Sequence, residues 1–166
     1  MDAALPLPLT PTTRIELIRL PTRAADRWSL RGDYVDLVWT ELLGVTAVAV
    51  ARRLGHLLAM SPPARGVSLD SLATPLRVPP SKALDALRRL HHHRLIEFRE
   101  HTAIIGASGL VPSVPVERAE QLSPYTGRLR VALEAREEDL PPSRSEPGPG
   151  TGSGGAGVTS RFAVEL

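Results

Sequence analysis

The order of predicted elements between Thr46 and Ile105 restricts the fold more than any other feature of this sequence. Three helical segments and one short extended piece are followed by two alternating segments with a polar turn between them. The predicted ranges are 46–60, 67–69, 70–77, 80–92, 95–98 and 102–105. In each helix the apolar residues recur every three or four positions, which is the spacing of one buried face. The last two segments are typical of a β-hairpin.

Helices are also predicted on both sides of this unit. Asp33 is a good N-cap for a helix that ends at Gly44. Pro124 is favourable at the first position of a second helix, which reaches about Glu138. The sequence therefore predicts a mainly α fold with a small β-hairpin and additional N-terminal and C-terminal helices.

The ends of the chain have a different composition. Pro and Gly make up 10 of the 17 residues in 141–157, which predicts a flexible tail. Residues 13–20 alternate only partly and are compatible with a short strand or with part of a helix. The predicted divisions are an N-terminal arm (1–32), a domain (33–122), a C-terminal helix (123–140) and a disordered Pro/Gly-rich tail (141–166).

Composition excludes several classes of site. The chain has no cysteine, which excludes disulfides, Cys-based zinc sites, iron–sulfur centres and thiol catalysis. The longest uncharged apolar run, residues 42–51, has 10 residues, whereas a membrane span needs about 20. The N-terminus has no basic segment followed by an apolar one, so we expect no signal peptide and a cytoplasmic protein.

Neither an enzyme nor a metal site is expected. No strained serine turn and no Gly-rich phosphate loop is found, which argues against catalysis and against a bound cofactor. His91, His92 and His93 are consecutive, and neighbouring helical side chains point about 100° apart. Three such histidines cannot converge on one ion, so we predict no metal.

Positive charge is concentrated in the segment from Arg77 to His101. This segment has six basic and three acidic residues, a net charge of +3, whereas the whole chain has a net charge of only +2. Residues 102–140 have four basic and six acidic residues. Any binding of a polyanion is therefore expected at the local patch and not through a global field.

The stretch SKALDALRRLHHHRLIEF, residues 81–98, combines a small polar start, a Leu-Arg-Arg-Leu run and a Leu-Ile strand. In this pattern it resembles the recognition helix and wing entry of bacterial winged helix-turn-helix regulators. Residues 33–58, DYVDLVWTELLGVTAVAVARRLGHLL, are similar to the opening helices of actinobacterial helix-turn-helix DNA-binding proteins. They are also loosely similar to the primosome-type replication winged helix. The resemblance covers roughly residues 33–122.

The sequence departs from this family at three positions. Members usually have Gly where this chain has Arg94, because the helix ends in a left-handed turn that favours Gly. Leu84 and Asp85 occupy positions that often face DNA as Ser, Thr or Arg. A carboxylate repels phosphate, although Asp can also accept a hydrogen bond from the amino group of cytosine.

The resemblance implies a transcriptional regulator that binds double-stranded DNA. Its third helix would enter the major groove, and its wing would lie on the sugar–phosphate backbone. Arg88 and Arg89 are also compatible with a solvated helix face or with pairing to Asp85. The candidate DNA-binding residues are Ser81, Lys82, Asp85, Arg88, Arg89, His92, Arg99 and His101.

Two further hypotheses concern protein partners. The helix over 124–138, with Leu129 and Leu133, is a candidate homodimer element. The alternative function is a winged-helix protein-interaction module in a replication or phage-derived assembly. An exposed Leu84 would favour that alternative, because an apolar spot suits a protein partner better than a phosphate.

Overall fold

A computed structural model describes residues 9–60 and 66–138. The tail predicted over 141–166 lies outside these residues. The α-helices are α1 (Thr40–Leu43), α2 (Val45–Ala59), α3 (Leu69–Ala73), α4 (Pro80–His92), α5 (Val116–Ala119) and α6 (Pro124–Glu138). A π-helical turn, Val35–Trp39, precedes α1, and 3-10 turns occupy Thr74–Leu76 and Glu100–Thr102. The strands are β1 (Arg14–Arg19), β2 (Asp26–Ser29), β3 (Gly66–Ser68), β4 (Glu97–Arg99), β5 (Ile104–Ala107) and β6 (Leu110–Pro112).

The predicted order of elements is present from α2 to β5. The bounds of α2 and α4 differ from the predicted ranges by at most one residue. α3 is shorter than predicted, because the segment tightens into a 3-10 turn that contains Pro75. Its cap is Ser68, since Ser68 and Ser71 exchange side-chain and backbone hydrogen bonds in a capping box.

The N-terminal segment differs from the arm predicted over residues 1–32. β1 lies inside a four-stranded sheet of order β3-β1-β5-β4, antiparallel to β3 and parallel to β5. Ile15 and Leu17 are both buried, so the alternation in this segment corresponds to one buried strand face. β2 pairs with β6 in a second, two-stranded sheet. β1 and β2 are therefore part of the folded domain and not of an arm outside it.

One hydrophobic core joins the helices and the larger sheet. Its largest fully buried side chains include Leu54 of α2, Leu72 of α3, Leu87 of α4, and Ile105 of β5. No helix in the described parts of the chain is both long and apolar enough to span a membrane. The cytoplasmic location stays a prediction.

α4 ends in the left-handed turn that the family resemblance implies. The backbone N–H of Leu95 donates to the carbonyl of Leu90, and that of Arg94 donates to His91. These two bonds form a Schellman motif. Arg94 has a φ of 59°, a conformation that costs a residue other than glycine about 1–2 kcal/mol.

Candidate nucleic-acid interface

α4 has one buried side and one exposed side. Ala83, Ala86, Leu87 and Leu90 are each at most 4% exposed and pack into the core. The helical spacing of these residues places six of the eight predicted DNA-binding residues on the solvent-facing side. These exposed residues are Ser81, Lys82, Asp85, Arg88, Arg89 and His92.

Arg88 is paired with two carboxylates. Its Nη2 donates to Oε1 of Glu100 at 2.7 Å, and its Nε donates to Oε2 of the same residue at 3.2 Å. Asp85 Oδ1 lies 3.6 Å from Arg88 Nη1, so the predicted pairing along the helix is also present. The hydrogen bonding of Arg88 to the carboxylate of Glu100 is the main cause that raises the pKa of Arg88. The positive charge of Arg88 is therefore offset by two carboxylates of the same chain.

Arg89 contacts a different part of the chain. Its Nη1 donates to the carbonyl of Leu43 at 2.7 Å, which provides a partner for a carbonyl at the end of α1. Gly44 has a φ of 80°, and a Cβ at this position would lie 3.2 Å from Nη1 of Arg89. The glycine thus permits both the turn and the close approach. The partner of Arg89 is a neutral carbonyl, and no carboxylate of the described residues lies within ion-pair distance of its side chain.

Lys82, Asp85 and Arg89 line an open cleft against residues 43–47, which include the start of α2. The cleft has a volume of about 240 Å³. Gly44 makes no side-chain cap to α2, so the first amides of this 15-residue helix have no side-chain partner there. A helix N-terminus beside two cations is a favourable place for an anion such as a DNA phosphate.

Arg99 and His101 lie at the hairpin and not in the cleft. Both side chains are exposed, and Arg99 Nη2 lies 3.9 Å from Glu97 Oε2. His101 is in the 3-10 turn that joins β4 to β5, and the same turn carries Glu100. Sequence reasoning missed the role of Glu100, because only the folded hairpin brings it to Arg88.

The three consecutive histidines have separate surroundings. His91 accepts a hydrogen bond from the backbone N–H of Phe98 on Nδ1 at 3.1 Å. His93 packs edge-on against Trp39 with ring centres 5.8 Å apart. His92 is exposed and contacts His93 edge-on. Within residues 9–60 and 66–138, no group of three His, Asp or Glu side chains is placed to hold a metal ion.

The helix predicted as a dimer element packs against its own chain. Leu133 of α6 contacts the core, and Glu134 accepts a hydrogen bond from the hydroxyl of Tyr34 at 2.7 Å. Leu129 is half-buried. Leu84 of α4 is also half-buried and packs against the core. The apolar side expected to meet a second copy is therefore largely used within the chain, and the exposed Leu84 that would favour a protein partner is not found.

Comparisons with known proteins give little information about the family. No protein-family model matches the chain, and no curated protein matches its sequence. Among solved structures, the chain is similar to primosome protein DnaB (residues 1–300) of Geobacillus stearothermophilus, with 14% sequence identity and a TM-score of 0.48. The match covers 77% of this chain and 52% of the other, so this chain spans about half the length of the solved protein.

Proposed function

We propose that this chain is a winged helix-turn-helix protein that binds double-stranded DNA and acts as a transcriptional regulator. The observation that carries the proposal is the exposed side of α4, on which Lys82 and Arg89 lie beside the start of α2. In this proposal α4 enters the major groove, and the hairpin β4–β5 lies along the backbone. The order of α2, α3, α4 and the hairpin supports the winged-helix assignment.

The pairing of Arg88 reduces the positive charge of this face but does not prevent DNA binding. The Arg88 and Glu100 side chains are 53% and 33% exposed, and ion pairs this accessible contribute about 0–1 kcal/mol. A phosphate can therefore displace Glu100 at low cost. The face has three basic residues, Lys82, Arg88 and Arg89, and two acidic residues, Asp85 and Glu100, so its net charge is +1. We therefore expect a modest affinity for DNA that depends on the salt concentration.

The test is fluorescence anisotropy of the full chain with a labelled random duplex. Wild type should bind at about 50 mM salt and bind more weakly at about 200 mM salt. The double variant Lys82→Ala, Arg88→Ala should lose roughly tenfold or more in affinity. Arg89 is left in place because its bond to Leu43 supports the fold.

The matched control removes two arginines from α6, as Arg128→Ala with Arg136→Ala. Both side chains are exposed, and the net charge changes by the same amount. The control should bind the duplex with nearly wild-type affinity. If the α4 variant binds as tightly as wild type, or if both variants lose the same affinity, α4 does not enter the groove.

A protein-interaction module in a replication or phage-derived assembly is the second candidate. The observation that favours it is the double pairing of Arg88 with Glu100 and Asp85, which leaves a nearly neutral face in place of a cationic one. Absence of duplex binding by wild type at low salt would favour this candidate over the first.

A homodimer is a separate proposal. Because Leu133 is used within the chain, the contact would be formed by exposed apolar residues of α6, of which Tyr125 is 68% and Val131 is 62% exposed. Val131→Arg should then shift sedimentation equilibrium toward monomer without loss of fold. A wild-type chain that sediments as a monomer at high micromolar concentration would overturn the dimer.

A further inference from the structure

A cavity of about 280 Å³ lies where the chain leaves α4 and meets the connection between β1 and β2. Leu20 and Pro21 line it from that connection, and Leu95 and Ile96 line it from the segment between α4 and β4. None of the eight predicted DNA-binding residues lines this cavity. The cavity is thus a second concave site, distinct from the exposed side of α4.

Two arginines of unequal availability line the cavity. Arg23 is engaged on two sides, because its Nη2 donates to the carbonyl of Arg94 at 2.8 Å and its Nε donates to Asp26 at 3.3 Å. For Arg94, no carboxylate of a described residue lies within ion-pair distance, and its side chain is exposed. Arg94 is therefore the cation available to a ligand.

His91 also lines the cavity. Its Nδ1 accepts a hydrogen bond from the N–H of Phe98 at 3.1 Å, and the carbonyl of Ile96 lies 3.4 Å from the same atom, so this nitrogen is occupied within the chain. Glu97 also lines the cavity, but its side chain is 58% exposed and lies 3.9 Å from Arg99. The carboxylate of Glu97 is therefore solvated and shared with another cation, while Arg94 has no such partner.

The backbone conformation of Arg94 allows the contribution of its side chain to ligand binding to be measured by substitution with glycine. Its φ of 59° favours glycine, so Arg94→Gly removes the guanidinium and at the same time relieves the backbone. Arg77 has a φ of 53°, is exposed and does not line the cavity. Arg77→Gly is therefore a control with the same loss of charge and the same backbone relief.

We propose that this cavity binds a small organic carboxylate with a short apolar chain. The carboxylate would lie against the guanidinium of Arg94, which can donate two parallel hydrogen bonds, and the apolar chain would pack on Leu20, Leu95 and Ile96. The volume is slightly below the range of about 300–1,000 Å³ that is usual for ligand pockets, so the ligand has few atoms.

This binding does not require the proposed DNA function. Any effect of the ligand on duplex affinity would rest on that function, because the cavity is built on the residues that follow α4 and lead into β4. The two proposals can be tested separately. Anisotropy with the Lys82→Ala, Arg88→Ala variant tests DNA binding, and carboxylate titration of Arg94→Gly tests ligand binding in the cavity.

The test is isothermal titration calorimetry of the full chain with acetate, butyrate and hexanoate, and with hexanamide as the neutral match. Butyrate or hexanoate should bind more tightly than acetate, and hexanamide should bind more weakly than hexanoate. Arg94→Gly should lose roughly tenfold or more in affinity, whereas Arg77→Gly should bind as wild type does. Both glycine variants should melt at or above the wild-type temperature, which separates lost binding from lost fold.

A second variant tests whether the cavity binds a negatively charged ligand. Glu97→Gln removes a carboxylate from the cavity and should tighten binding of hexanoate. The proposal is overturned if no carboxylate binds wild type at low-millimolar concentration, if Arg94→Gly binds as tightly as wild type, if hexanamide binds as well as hexanoate, or if Glu97→Gln weakens binding.

Discussion

At the scale of single residues, His93 has the most unusual environment. Burial is the main cause that lowers its pKa from 6.5 to about 4, and the positive charges of Arg118, His92 and Arg89 add to the shift. Arg118 Nη1 lies 2.9 Å from Nδ1 of His93. The folded protein therefore holds this ring in its neutral form.

The pKa of His93 predicts a loss of stability in acid. Between pH 6.5 and about 4 the unfolded chain protonates this ring while the folded chain does not. The contribution of the neutral ring is therefore complete above pH 6.5 and is lost as the pH falls toward 4. Melting temperatures measured across this range should fall less steeply for His93→Gln than for wild type. His101→Gln changes an exposed histidine and should keep the wild-type slope; equal slopes for all three proteins would contradict the assignment to His93.

Arg88 and Arg89 illustrate what residue-level sequence reasoning can predict. The helical period correctly places both on the exposed side of α4, because Leu87 and Leu90 occupy the buried side. The same period also predicts the pairing of Arg88 with Asp85, but it does not predict the more distant partners. Arg89 contacts Leu43, 46 positions earlier, and Arg88 contacts Glu100 across a turn whose geometry is not encoded in the helix.

At the scale of elements, the ranges of α2 and α4 were predicted well and the sheet was not. The ranges of α2 and α4 follow from local periodicity and from proline and glycine signals, which are properties of neighbouring residues. The position of β1 depends on pairing with β3 and β5, which lie far away in the sequence. A short alternating segment can predict a strand, but it carries no information about which strands will pair with it.

Because β1 lies inside the sheet, we expect a single substitution of a buried residue in this strand to lower the stability of the protein strongly. Ile15 is fully buried, so Ile15→Ala should lower the free energy of unfolding by about 2–5 kcal/mol. Ile18 of the same strand is 37% exposed, so Ile18→Ala should cost less than about 1 kcal/mol. Urea denaturation of both variants is the measurement. Equal stability of the two variants would mean that this segment is an arm outside the core.

At the scale of the whole molecule, the charge balance is nearly neutral. A net charge of +2 provides little long-range attraction for DNA, so binding depends on which local cations are available. Glu100 controls one of these cations, because it holds Arg88 with two hydrogen bonds. The proposed DNA function therefore predicts that Glu100, in the turn of the hairpin, lowers the affinity of α4 for DNA.

Glu100→Gln should release Arg88 and tighten binding of a random duplex. Because Arg88 no longer has to leave Glu100 before it contacts phosphate, the affinity should rise by at most about fivefold, which corresponds to the roughly 0–1 kcal/mol of an exposed ion pair, while the slope of log affinity against log salt concentration should stay close to that of wild type. Glu120→Gln is the matched control, since it raises the net charge by the same amount at an exposed position outside α4 and the hairpin. Anisotropy titrations at several salt concentrations measure both quantities. If the two variants gain affinity equally, the effect comes from overall charge and Arg88 does not contact DNA; if Glu100→Gln alone gains affinity, the contact is local to α4.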